Sequence, residues 1–414
     1  MMQKPPGIED IFPDRIVQWN FIQNTAREIF KAYNFHEIII PLMEYTDVFV
    51  RGIGDGTDIV SKEMFTFEDR GGRSLTLRPE GTASVVRAYA ENGEYIRLAL
   101  SKFFYMGSMF RAEKPQKGRL RQFNQLGAEL FGSADAYHDF EIISVMDSIS
   151  KRIGLTNYSL LLNSIGCAEC RSQYLEALKK YYSGLTDNLC NDCKSRFSKN
   201  TLRLLDCKNE SCRKVREGAP IITEFLDDEC RAHYELLKKY LKDASINFTE
   251  DPYLVRGLDY YTRTTFEFVT NDLGAQNAFA AGGRYDNLVE QFSGKSTPAV
   301  GFAAGIERMM LLTQNTIYKP AALDVYIVHT GGATLEKAIA LTTELRNMGV
   351  SADLDPAGKG FKTQFKRAER DNAQRIIIIG EEELTEEKAK LKDQKTGEQI
   401  SIPFSEIANT IANK

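Results

Sequence analysis

Tryptophan occurs once and histidine four times in 414 residues, and no apolar run approaches the roughly 20 residues that span a bilayer. The last absence excludes a helical membrane protein. With 43% hydrophobic and 27% charged residues, the composition is that of a soluble globular chain. The opening residues, MMQKPPGIEDIFPD, lack an apolar h-region and so carry no secretory signal, which predicts a cytoplasmic protein. Charge of either sign is scarce in excess: the net value of −4 supplies no global field, so a polyanion would have to be held by local basic clusters. Cysteine is present seven times, an odd number that argues against a disulfide framework and for reduced thiols or a metal site. The length exceeds what one core usually organises, so two or three domains are expected.

From Trp19 to Tyr33 the apolar residues recur at helical spacing and lead into the strand-like FHEIIIP, stopped by Pro41. The text MFTFEDRGGRSLTLR alternates on both sides of Gly71-Gly72, a hairpin signature. A second hairpin has the arms KFFYMGSMFRA and LRQFNQLGAELFG, joined by a basic loop containing Pro115 and Gly118. Strand text returns at TRTTFEFVT and AVGFAAG. The fold class is therefore α+β, an antiparallel sheet flanked by helices over residues 1–318. A helical insertion at about 168–247 interrupts it and holds the cysteines. After Lys319-Pro320, alternating strand and helix text predicts a separate α/β domain at 321–414.

In the return arm of the second hairpin, Phe123, Gln125, Gly127, Glu129 and Phe131 share one face, and Leu126, Ala128 and Leu130 pack the other. Gln125 and Glu129 then point into a concavity, with Gly127 between them leaving room for a ligand. Arg111 sits at its mouth, and the loop adds Lys114, Lys117, Arg119 and Arg121, donors suited to a triphosphate or a nucleic-acid backbone. Three more stretches belong with these. LTLRPEGTAS sets Glu80 and Thr82 in a turn near Arg78, LVRGLDYYTRT carries Arg256 and Tyr260-Tyr261, and AGGRYDNL places Arg284 and Tyr285 after a Gly-Gly turn. AVGFAAGIERMMLL puts Arg308 in the first turn of a helix, where the dipole disfavours a cation unless an anion binds.

Taken together these motifs resemble the histidyl-tRNA synthetase family of class II aminoacyl-tRNA synthetases, over almost the whole chain. LVRGLDYY and AGGRYD are similar to stretches peculiar to that family. The resemblance implies a histidine-tRNA ligase that uses ATP, with Mg2+, to form histidyl-adenylate and then loads tRNA(His). It implies Arg111 and Arg256 as catalytic cations, and an ATP site of Arg111, Glu113, Arg119, Phe123 and Arg308. Histidine would be held by Glu80, Thr82, Arg111, Gln125, Glu129, Arg256, Tyr260, Tyr261 and Tyr285. No side-chain base is needed, because a carboxylate is already a nucleophile at neutral pH. His36, His138, His233 and His329 lie outside these motifs, in keeping with that.

For tRNA the resemblance points to Gln116, Lys117 and Arg121 at the acceptor end. In the C-terminal domain, assigned by resemblance to anticodon binding, Lys359, Lys362, Lys366 and Arg370 recur at three- and four-residue spacing as a basic stripe, with Lys362 and Lys366 assigned to RNA. A homodimer through the helix and strand ending at Pro41 is also implied. Asn124 stands where the family more often has histidine. Cys167-x2-Cys170 and Cys190-x2-Cys193 have the spacing of a four-cysteine zinc site, with Cys207 and Cys212 as competing partners. The family needs no metal there, so structural zinc is allowed but no metal ligand is assigned. The alternative reading is a regulatory subunit of a histidine-biosynthesis enzyme. Such paralogues erode the phosphate-binding arginines and lack the C-terminal domain, and this chain has both.

Overall fold

The computed structural model describes residues 2–54, 57–116, 118–274, 277–314 and 322–412. The chain divides into two compact units, Met1–Ile317 and Tyr318–Lys414.

The first helix runs Pro13–Ala32, with proline at its start, where the missing N–H has no partner to lose. Its stripe of Ile22, Ala26, Ile29 and Phe30 is buried against Phe104, Leu126, Ala128 and Leu130, with Phe30 stacked on Phe104 at 4.4 Å between ring centroids. Those partners come from the second hairpin, Ser101–Phe110 and Gln122–Phe131, whose apolar trio faces the helices as the alternation predicts. The hairpin supplies the second and third strands of an eight-stranded sheet. Its order is His36–Glu37, Ser101–Phe110, Gln122–Phe131, Ala299–Gly305, Ala278–Arg284, Thr262–Val269, Ser159–Ser164, Phe248–Glu250. The two end pairs are parallel and the rest antiparallel. The first hairpin, Phe65–Glu68 with Ser74–Leu77, joins Met43–Tyr45 in a separate three-stranded sheet.

Between Ser164 and Phe248 the chain is helical. The helices Ala168–Ser183, Asn191–Lys199 and Glu210–Arg216 share a core of their own built on Tyr174, Leu178, Tyr182, Leu189, Leu204 and Leu205. The fourth helix, Asp228–Asp243, instead buries Tyr234, Leu237 and Leu241 in the main core. In the second unit the strands run Ala352–Leu354, Val325–His329, Arg375–Ile379, Lys388–Asp393, Gln399–Pro403. The first three are parallel, and the last two add antiparallel at one edge.

Two local readings fail. Gly282-Gly283 form no turn: they lie within the strand Ala278–Arg284, where a Cβ on Gly282 would fall 2.2 Å from the Gly301 carbonyl oxygen. Arg284, expected near a ligand, is fully buried against Asp139, with Ser133 and Asp135 carbonyls and Asp286 taking its remaining donors. Burial alone would raise the Asp139 carboxyl, but Arg284 and His233 hold it well below the usual carboxylate range. That ion pair is a strut of the core.

Candidate functional site

On the open face of the eight-stranded sheet lies a cavity of about 300 Å³. Its walls include Glu80, Thr82, Arg111, Glu113, Arg119, Phe123, Gln125, Arg256, Tyr260, Tyr261, Tyr285 and Arg308, so residues from five separate sequence stretches converge there.

One part of the cavity is cationic. Arg111 is fixed by its Nε–H donating to the Pro79 carbonyl at 2.9 Å and by stacking on Phe123, 5.2 Å from the ring centroid. Arg119 pairs with Glu113 at 2.7 Å, and Arg111 stands 3.8 Å from the same carboxylate. Arg308 donates to the carbonyls of Gly118 and Ala278. Burial, with Arg119 and Arg111 close by, lowers the affinity of the Arg308 guanidinium for its proton. Like charges held this close are stabilised by an anion between them. Arg256 is paired with Glu267 and lies over the Tyr261 ring at 5.9 Å.

The other part is aromatic and acidic. Tyr260 packs at 4.6 Å from Tyr261 and edge-on to Tyr285 at 5.6 Å. Beneath them the Glu129 carboxylate is completely buried, accepting from Thr82 Oγ1 at 2.7 Å and from the Tyr285 hydroxyl. Burial pushes the Glu129 carboxyl up to about 8, against the pull of those two donors. Space for it comes from Gly301, its cross-strand partner, where a Cβ would lie 1.8 Å from Glu129 Oε2. Glu80 caps the helix Thr82–Glu91 by accepting the N–H groups of Thr82 and Ala83 at 2.7 and 2.8 Å. Gln125 lines the cavity with its Oε1 buried and unpartnered among the described residues.

Several expectations need correction or extension. The room at Gly127 is filled by Tyr105, its cross-strand neighbour, whose hydroxyl would lie 2.4 Å from an added Cβ, so no ligand occupies it. Arg78 faces away from the cavity and is spent on the carbonyls of Ile40, Pro41 and Ser108. Tyr105, buried beside Glu129 and Glu80, and Glu267, the partner of Arg256, escaped the sequence reading. Only the alternation of KFFYMGSMF opposite Gly127 could have revealed the first.

Asn124 donates its backbone N–H and its side-chain amide to Glu307, tying the helix Ile306–Leu312 to the sheet. In the loop, Gln116 and Arg119 form a backbone bridge, and Arg121 donates to the Glu113 carbonyl at 3.3 Å. Lys117 lies outside the described residues. Lys362, Lys366 and Arg370 are exposed on the helix Phe361–Arg370, whose inner face buries Gln364 and Ala368, and Lys359 is exposed just before it.

The family model for histidyl-tRNA synthetase matches residues 7–309, and the anticodon binding domain model matches residues 324–414. The chain belongs to the histidyl-tRNA synthetase family. A histidine–tRNA ligase of Halothermothrix orenii is 49% identical over 409 residues, 98% of each chain. One from Caldanaerobacter subterraneus subsp. tengcongensis is 45% identical over the full length of both. The apo histidyl-tRNA synthetase of S. aureus matches along 100% of both chains at 36% identity, with a TM-score of 0.84. The class II fold read from the sequence, with its antiparallel-rich sheet and C-terminal domain, is that of this family.

Metal-type donors occur away from the cavity, in the insertion. The four-cysteine set suggested by the spacing of Cys167, Cys170, Cys190 and Cys193 is not assembled. Cys190 and Cys193 gather with Cys207 and Cys212, while Cys167 and Cys170 gather with Asp227 and Cys230.

Proposed function

We propose that this chain is a histidine–tRNA ligase whose first step, formation of histidyl-adenylate from histidine and ATP, takes place in the cavity above the Gln122–Phe131 strand. The observation that carries the reading is a guanidinium cluster in one cavity, with the Glu129 carboxylate fully buried behind the tyrosine wall of that cavity rather than lining it. The carboxylate of histidine attacks the α-phosphorus of ATP, the bond to the bridging oxygen breaks, and pyrophosphate leaves. Two anions must meet, so fixed positive charge is the main demand. Arg111 and Arg256 would meet it at the α-phosphate, and Arg119 and Arg308 at the outer phosphates. Phe123 and Glu113 would border the base.

Gln125 Oε1, an acceptor with no partner among the described residues, suits the α-ammonium, together with Glu80 and Thr82. Glu129 would read an imidazole N–H, with Tyr261 at the other ring nitrogen and Tyr260 and Tyr285 as walls. A side chain lacking that N–H could add nothing to the two bonds Glu129 takes from Thr82 and Tyr285, which supplies selectivity. Mg2+ takes oxygen donors from one or two carboxylates and substrate phosphates. Glu113 and Glu267 line a second cavity that shares Arg111, Glu113 and Arg119 with the first; they have that chemistry and would hold an ATP-bound ion that neutralises phosphate charge.

In the second step the 3′ hydroxyl of tRNA attacks the histidyl carbonyl and AMP leaves. Residues 1–318 serve as the catalytic domain, with the insertion at about 168–247, and residues 321–414 read the anticodon. Gln116 and Arg121 would meet the acceptor end, and Lys362 and Lys366 the anticodon arm. No helix among the described residues is long and apolar enough to cross a membrane, and a cytoplasmic homodimer fits the reading. One face of the three-stranded sheet exposes Met43, Tyr45 and Phe67 at 49%, 53% and 42%, an apolar surface that a second copy would cover.

Histidine-dependent ATP–pyrophosphate exchange, followed by charging of tRNA(His), tests the proposal. Exchange with histidine alone among the amino acids is expected. Absence of exchange would favour the regulatory-subunit alternative.

A further inference from the structure

We infer that the helical insertion is a zinc-organised module, with one ion held by Cys190, Cys193, Cys207 and Cys212 and a second by Cys167, Cys170, Asp227 and Cys230.

The first site rests on geometry. One ligand atom from each of its four residues lies within 4.8 Å of all the others. Cys190 and Cys207 sulfurs are 3.8 Å apart, which matches the edge of a tetrahedron of about 2.3 Å zinc–sulfur bonds. None of the seven cysteines is in a disulfide. The order is Cys-x2-Cys, thirteen residues, Cys-x4-Cys. The first pair sits at the start of the helix Asn191–Lys199 and the second brackets the start of Glu210–Arg216. The Cys190 backbone N–H donates to Cys212 Sγ at 3.2 Å, an interaction that stabilises a thiolate. Arg196, which also pairs with Asp58 at 3.0 Å, lies near Cys193 and Cys207 and would partly offset the two negative charges that four thiolates leave around a divalent ion. These helices have 9 and 7 residues, too short to be stable by themselves. Their small shared core needs a staple.

The second site has its own support. Cys167 and Cys170 sulfurs are 3.5 Å apart, and Asp227 Oδ2 stands 3.1 and 3.2 Å from them. The Asp227 backbone N–H donates to Cys170 Sγ at 3.2 Å. Cys167-x2-Cys170 opens the first helix of the insertion and Asp227-x2-Cys230 opens the last, so an ion here would close the neck where the chain leaves and re-enters the sheet. Sulfur donors from Cys-x2-Cys with one carboxylate are a zinc-type set. Four ligands and three account for all seven cysteines.

The module also touches the cavity. Arg171, next to Cys170, donates to the Tyr261 carbonyl at 3.1 Å, and Asn200, just after the Asn191–Lys199 helix, to Asp259 at 2.8 Å. The inference itself does not depend on the ligase reading.

The test uses the full-length protein, produced in zinc-containing medium and purified without metal-affinity resin or chelator. Elemental analysis should give two zinc per chain. An organomercurial titration of the wild type should release both ions to a chromophoric chelator in step with thiol modification, a readout that needs no variant to fold. Cobalt grown in place of zinc should give the intense visible bands of tetrahedral thiolate coordination. Cys207→Ser and Cys230→Ser should each retain one ion. Zinc at the buffer background, with no cobalt bands, would overturn the proposal. One zinc per chain, lost in Cys207→Ser and kept in Cys230→Ser, would overturn the second site and leave the first.

Discussion

Replacing Glu129 by Gln probes a carboxyl that is buried, neutral at physiological pH, and joined to both Thr82 and Tyr285. Its titration is raised from the ordinary 4.5 to about 8. The folded chain therefore holds the proton more tightly than the unfolded one. The stability this contributes is complete below about 4.5 and is lost as pH rises to about 8. At about 1.36 kcal/mol per pH unit the full loss is on the order of 4–5 kcal/mol. Glutamine needs no proton, so the stability difference between variant and wild type should grow in favour of the variant by a few kcal/mol between pH 5 and 8.5, every other titration cancelling in the comparison. Denaturant unfolding at several pH values measures it.

The same change should cost histidine activation. A hydrogen bond from an imidazole N–H to a neutral carboxyl contributes about 0.5–1.5 kcal/mol, roughly 2- to 12-fold in kcat/KM for histidine, with ATP binding little altered. Parallel stability curves across this pH range, together with unimpaired exchange, would refute both the burial argument and the recognition role.

Gly301→Ala should collapse histidine activation as well, because the new methyl meets the Glu129 carboxylate at 1.8 Å and the Ala128 carbonyl oxygen at 2.6 Å; exchange kinetics beside circular dichroism would separate site damage from unfolding. Asp139→Asn removes one of the two carboxylates that pair with the buried Arg284, leaving Asp286 at 3.1 Å, and should destabilise by about 1–3 kcal/mol without touching the cavity, visible as a lowered denaturation midpoint. Arg256→Ala, which also frees Glu267, should lower the exchange rate by roughly 10²- to 10³-fold, the usual cost of losing one transition-state donor. Lys362→Ala with Lys366→Ala should weaken tRNA charging and shallow its salt dependence by about 0.7 per lysine, leaving tRNA-independent exchange at the parental rate.

What could be read from sequence was what a single element decides. Alternation along QFNQLGAELF assigned Leu126, Ala128 and Leu130 to the core and Gln125 and Glu129 to the other face, because the period of a strand is 2 whatever lies around it. Helical periodicity and turn chemistry located the first helix and both hairpins for the same reason. Errors arose where a residue's fate depends on a partner far along the chain. Gly127 makes room, as its missing side chain requires, but the cross-strand register assigns that room to Tyr105. Arg284 has the sequence neighbours of a ligand-binding arginine, yet Asp139, 145 residues away, captures it.

The cysteines follow the same rule and extend it. A Cys-x2-Cys pair is a local device, set by the geometry of a chain entering a helix, and the sequence displays two of them correctly. Which second pair completes each tetrahedron is a question of topology. The pair at 167 and 170 lies where the chain leaves the sheet, so its natural complement is whatever stands where the chain returns, and there one ligand is Asp227. An aspartate is invisible to cysteine counting, so seven thiols read only as an odd number. Closure at the neck leaves Cys190 and Cys193 free to meet Cys207 and Cys212 within the small helices. The same closure would hold Arg171 against the Tyr261 carbonyl, so loss of the neck ion should loosen the tyrosine wall and raise the histidine KM while leaving that for ATP closer to its parental value.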